Sequence, residues 1–206
     1  MTETVTQCWW VRHAIIAESG RYIGHTDVPA VVPAYDAAEL SLQLPGNDAL
    51  WFSSPLLRSV QTAKWLMHSC KVDEEKLGIV AEIKEQHFGA WENKTYDEVW
   101  QKAEAKHDWS KPEALRPDGG ESFTDVCART DVWLDALLTA QAGRPIVIVT
   151  HAGVIRAGLR HALGITPAQA LLFQADYGGI SQTVYYSGET DSGKKPAARV
   201  NYVNRG

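Results

Sequence analysis

Cysteine is scarce in this chain. Cys8, Cys70 and Cys127 are odd in number, far apart and without a CxxC pair, which argues against a disulfide framework, a thiolate zinc site or dithiol redox chemistry. They are expected as reduced, mostly buried thiols. Basic residues are also in deficit, 20 Lys and Arg against 25 Asp and Glu. The resulting net charge of −5 and the lack of a basic stripe argue against a nucleic-acid partner. An anionic ligand would have to be gripped by a few focused arginines rather than by a general field. No apolar run approaches membrane length, and the polar stretch from Met1 to Gln7 lacks the apolar core of a signal peptide. No membrane partner and a cytoplasmic location are the expectations. Repeats, linkers and low-complexity tracts are missing as well. At 206 residues, 45% of them hydrophobic, the composition fits one globular domain over 1–206 with a full core.

What the chain does have is two apolar runs that each stop in histidine. Cys8-Trp9-Trp10-Val11 delivers Arg12-His13, and Ile146-Val147-Ile148-Val149-Thr150 delivers His151-Ala152-Gly153. Both read as buried strands emptying into loops, and the carboxyl ends of strands are where open α/β sheets bind ligands. Between them the spacing predicts a long loop over 15–33 and a helix over 34–44. A strand at 50–52 should lead to a helix whose N-cap and first position are Ser54 and Pro55. Gly78 to Ile83 reads as a further strand. Capping-box starts at Thr95 and Ser122 open helices, the first ending near Lys106. A helix from about Val154 to Leu163 should close on Gly164, followed by strands at 180–186 and 199–203. The alternation predicts a three-layer α/β/α sandwich with a mainly parallel central sheet and an antiparallel C-terminal strand.

Arg12-His13, Arg58, Glu85 and His151 all fall at strand ends or just beyond. Two guanidinium forks suit phosphate oxygens, two imidazoles offer a nucleophile and a donor, and a carboxyl remains for proton transfer. Phosphoryl transfer from a monoester needs those three things. The residues that carry this pattern resemble the histidine phosphatase, or phosphoglycerate-mutase-like, superfamily. The matching segments are Arg12-His13-Ala14, Arg21 to Pro29, Ser53 to Ala63, Glu85 to Glu92, Gly119 to Ser122 and Thr150 to Arg156, in the family's order. The resemblance implies His13 as the nucleophile that becomes phosphohistidine and Glu85 as the general acid and base. It implies Arg12, Arg58 and His151 as phosphate ligands and no metal or organic cofactor. Ser19, Gly24, His87 and Ala152 are candidate substrate contacts, and residues of about 91–121 form a specificity insert.

The expected partner is a small phosphomonoester, and a homodimer is left open. The Arg-Tyr-x-Gly-x-Thr-Asp segment and the chain length are similar to α-ribazole phosphatases. A phosphoglycerate-type mutase and a non-catalytic phospho-ligand binding module are the alternatives. The second is raised by Ala14, Ile16 and Ser19, where the family pattern has Gly, Thr and Asn. Asn93 stands where the family often has glycine. Gly188 to Lys195 nearly fits a P-loop but lacks the final Ser or Thr and precedes Pro196, so a charged hairpin loop is expected there.

Overall fold

The computed structural model describes residues 4–32, 37–103, 110–187 and 197–206. The start of the helix expected from 34, the end of that expected at 106, and the Gly188 to Lys195 stretch lie outside the described residues. In chain order the elements are β1 (Thr4–Arg12), α1 (Ala37–Ser41), β2 (Leu50–Ser53), α2 (Leu57–Ser69), β3 (Leu77–Ile79), α3 (Tyr96–Ala103), α4 (Phe123–Ala140), β4 (Ile146–Thr150), α5 (Ala152–Leu163), α6 (Pro167–Ala170), β5 (Ile180–Ser187) and β6 (Ala197–Arg205).

One six-stranded sheet runs in the order β3-β2-β4-β1-β5-β6. β4 is parallel to β1 and β2, and β3 is parallel to β2, whereas β5 and β6 are antiparallel. β5 therefore runs against the other strands, and the C-terminal pair β5–β6 closes the mainly parallel sheet with antiparallel pairing as expected. Because side chains alternate along a strand, neighbours go to opposite faces. Cys8, Trp10, Ile146 and Ile148 pack with α4, α5 and α6 on one side. Trp9, Val11, Val147 and Val149 pack with α1 and α2 on the other. The α/β/α layering follows from that alternation.

The strand order decides where the chemistry can sit. β1 and β4 are neighbours in parallel register, with Arg12 opposite Thr150, so the residues that follow each strand emerge side by side. The His13 amide donates to the Thr150 carbonyl at 2.9 Å. Gly158 lets α5 lie flat on β1, since a Cβ there would come within 2.6 Å of the Trp10 ring. This contact sets the height of α5, whose N-cap is His151.

Several boundaries differ from expectation for identifiable reasons. α2 starts at Leu57, its N-cap is Leu56, and no side chain of the cap residue bonds the helix. Asp27, thirty residues earlier, accepts the Leu57 amide at 2.6 Å instead, so the cap is tertiary and invisible to local pattern. The strand expected over 78–83 is β3 followed by a 3₁₀ turn at Ala81–Ile83, which drops the chain toward Glu85. α5 starts at Ala152, two residues early. α6 was not anticipated, although Thr166 and Gln169 form a full capping box around Pro167. The boxes at Thr95 and Ser122 are both formed. Cys8 and Cys127 are buried, Cys70 is half-buried, and none is bonded to another. No helix among the described residues is long and apolar enough to cross a membrane.

Candidate active site

His13 follows β1 and is 3% exposed. Its Nδ1 lies 2.8 Å from the Ala14 carbonyl, which can only accept, so that nitrogen carries the proton. Nε2 is then a lone pair, and the Arg58 Nε donates to it at 3.2 Å. Burial first, then the guanidiniums of Arg58 and Arg12, hold the imidazole well below its usual value of 6.5. A neutral ring with one nitrogen fixed as donor presents the other as a nucleophile.

His151 lies 5.0 Å from His13, ring centre to ring centre, and is fully buried. Its Nε2 is 2.8 Å from the Ser54 hydroxyl, which itself accepts the Leu56 amide. The Ser59 hydroxyl lies 3.3 Å from the same nitrogen, and with Ser54 donating to Nε2 the proton of neutral His151 is assigned to Nδ1. Burial first, then the neighbouring His13 imidazole and the guanidiniums of Arg58 and Arg12, hold this ring well below its usual value of 6.5 too. Nδ1 has no hydrogen-bond partner among the described residues, and neither has Arg12 Nε, though both are buried. Leaving a buried donor unmade costs about 1–3 kcal/mol, so two of them on residues at the ends of neighbouring strands suit an incoming acceptor.

Arg58, in the first turn of α2, is 1% exposed. Its Nη groups donate to the carbonyls of Thr26, Gly24 and Ile23, which tie it to the loop after β1. Burial lowers the Arg58 pKa, against the carboxylates of Glu85, Asp27 and Glu92. That loop is in turn bound by Glu92, whose carboxylate accepts the amides of Gly24, His25, Thr26 and Phe88 and the Thr26 hydroxyl. Burial would raise the Glu92 carboxyl, but those donors outweigh it and hold it below its usual value. Gly24 is required there because a Cβ would run into the Gln86 carbonyl and the Glu92 carboxylate. Glu85 is half-buried, with Oε1 accepting the Gln86 amide, and its own carbonyl is gripped by Arg129 and His25.

A cavity of about 290 Å³ opens over these groups. It brings together Arg12, His13, Arg58, Glu85 and Ala152 from the expected set, with His151 directly behind His13. Ser19 is exposed between two lining residues, Glu18 and Gly20, but does not line the cavity. Gly24 and His87 do not line it either: the Gly24 carbonyl accepts Arg58 Nη2, and the His87 ring lies tilted 4.6 Å from that of His25 with its amide on Glu121. The walls add Arg21, Tyr22, Tyr96, Arg156 and Tyr177, which sequence reading did not assign. Arg156 was findable, lying one helical turn after Ala152 on the same face of α5. Tyr177 was not, because 165–179 carries no periodic pattern.

Ala14 is not among the residues with positive φ, so its Cβ costs nothing in backbone strain. Asn93 does have φ +64, which explains why glycine suits that position and why Asn, tolerant of the left-handed region, can replace it. Among the described residues no group of three or more His, Cys, Asp or Glu could hold a metal ion.

An α/β sandwich with two neutral histidines, a buried and a half-buried arginine and unpaired donors at adjacent strand ends is an enzyme-like site for a tetrahedral oxyanion. Residues 8–194 match the model of the histidine phosphatase superfamily (branch 1), and the chain belongs to that family. It is 29% identical over 143 residues to a bifunctional protein of Mycobacterium tuberculosis, covering 69% of this chain but only 38% of that protein. It is 27% identical over 177 residues to the adenosylcobalamin/alpha-ribazole phosphatase of Escherichia coli, covering 82% of this chain and 85% of the relative. The solved structure of a mycobacterial glucosyl-3-phosphoglycerate phosphatase superposes with a TM-score of 0.84 at 22% identity, over 98% of this chain and 100% of that one. That last likeness is one of fold.

Proposed function

We propose that this chain is a phosphomonoester hydrolase that works through a phosphohistidine on His13 and needs no metal ion. The observation that carries the reading is the pair of buried, unpaired nitrogens, His151 Nδ1 and Arg12 Nε, together with a neutral His13 whose Nε2 lone pair meets the Arg58 Nε. His13 Nε2 attacks phosphorus as the ester P–O bond breaks, and protonated Glu85 gives its proton to the leaving oxygen. Arg12, Arg58 and His151 take up the equatorial oxygens. Glu85, now a carboxylate, draws a proton from water, whose oxygen displaces Nε2 and releases phosphate. His13 and Glu85 return to their starting protonation states.

The substrate class is a small phosphorylated metabolite. α-Ribazole phosphate is the first to assay because the Escherichia coli relative named for it aligns over most of both chains. A cytoplasmic setting fits the three unpaired thiols. The test is turnover of a generic aryl phosphate by purified protein, with and without chelator, against His13→Ala. Chelator-insensitive phosphate release that the substitution abolishes is expected; undiminished turnover by His13→Ala would refute the scheme.

A further inference from the structure

The segment between α6 and β5, residues 173–179, supplies no group to the chemistry above, yet it holds two of the cavity's arginines. The Phe173 carbonyl accepts Arg156 Nε at 2.9 Å, and the Ala175 carbonyl accepts Arg12 Nη1 at 2.7 Å. The Tyr177 ring centre lies 3.7 Å from Arg12 Cζ and 5.4 Å from the His13 ring. The backbone joins in, since Arg12 N donates to the Gly179 carbonyl and Gly178 N to the Arg12 carbonyl. The segment itself is tied to the last strand. The Asp176 amide donates to Asn204 Oδ1 at 2.6 Å, and Asn204 Nδ2 returns a bond to Asp176 Oδ2 at 2.7 Å. Asn204 has φ +55, a conformation that Asn and Gly tolerate far better than other residues.

We propose that Tyr177 is a positioning residue for oxyanion binding, fixing the plane of the Arg12 guanidinium, and that Asn204 acts through it from β6. A free arginine carries large rotamer entropy, which a ligand must overcome if the fork is not already ordered. The stack fixes one guanidinium face and the Ala175 carbonyl fixes one edge. The Arg12 guanidinium, which lines the cavity, is thereby held for an incoming anion without further ordering. The aromatic face, not the phenolic hydroxyl, does this, because the contact is between ring and cation.

This inference rests on the proposed site, and the experiment separates the two. Inhibition by orthovanadate and by inorganic phosphate is measured with KM and kcat for an aryl phosphate in Tyr177→Leu, Tyr177→Phe and Asn204→Gly. Tyr177→Leu should raise the vanadate inhibition constant and KM by about tenfold, the scale of a lost, desolvated cation–ring contact, with a smaller change in kcat. Tyr177→Phe should recover most of the affinity. Asn204→Gly, compatible with the backbone at that position, should shift both constants the same way by a few-fold and carries the test if Tyr177→Leu does not fold. Unchanged constants in Tyr177→Leu, or in Asn204→Gly if it must stand in, would overturn the assignment, as would Tyr177→Phe being as weak as Tyr177→Leu. If His13→Ala keeps turning over substrate, the catalytic reading fails; if it is inactive while these variants bind normally, only the Tyr177 assignment fails.

Discussion

At the residue scale, the assignment of His13 follows from one carbonyl. Because Ala14 oxygen can only accept, the proton is placed on Nδ1 and the reactive pair on Nε2. The proton transfer proposed for Glu85 can be isolated by leaving-group chemistry. Glu85→Gln should lower kcat on an alkyl phosphate by about 10²- to 10⁴-fold, the range of general acid catalysis. A nitrophenyl ester, whose phenolate departs without a proton, should suffer much less in the first step. Equal losses on both esters, measured by steady-state and burst kinetics, would remove Glu85 from proton transfer. His13 and His151 were legible in the sequence because each follows an apolar run that reads as a strand, Arg58 because it follows a strand-serine-proline turn, and Glu85 because it stands in register with the motif the chain resembles. Tyr177 and Glu92 were not, because their meaning lies in contacts across more than sixty residues.

At the scale of elements, the site is assembled by loops that hold one another. Glu92, at the end of a short 3₁₀ turn, binds the 24–26 loop, and that loop binds Arg58 through its carbonyls. Glu92→Ala should cost about 2–3 kcal/mol, the scale of lost hydrogen bonds to a charged acceptor. A thermal melt and the KM for aryl phosphate should move together, since Arg58 loses its backing. A drop in melting temperature with KM unaltered would show that the loop does not position Arg58. The sequence displayed strands and helices well, because periodicity is local. It displayed the start of α2 poorly, because Asp27 caps that helix from a distant loop. Pro55 sits before the helix rather than opening it.

At the scale of the whole molecule, buried titratable groups set a pH window for stability. His13 and His151 are held well below 6.5 in the fold. Below 6.5 the unfolded chain binds protons that the folded one refuses, so stability falls as pH drops from 6.5 toward the folded values. On the alkaline side burial raises Cys8 from 9.0 to about 12 and Cys127 to about 11. Between 9.0 and those values the folded chain keeps protons that the unfolded chain has lost, so stability falls as pH rises. Melting temperature plotted against pH should therefore decline on both sides of a plateau between about 6.5 and 9. Cys8→Ala should lower the plateau but flatten the alkaline decline; an unchanged alkaline slope would show that this thiol does not govern it.

The proposition that β1 and β4 deliver a nucleophilic imidazole into an oxyanion site is tested most directly by trapping the intermediate. Protein mixed with an aryl phosphate is quenched within a turnover, digested under alkaline conditions that preserve phosphohistidine, and mapped by mass spectrometry. Phosphate on the peptide containing His13, lost in His13→Ala, is the predicted result. A phosphoryl group found on another residue, or full turnover with His13 never modified, would contradict it.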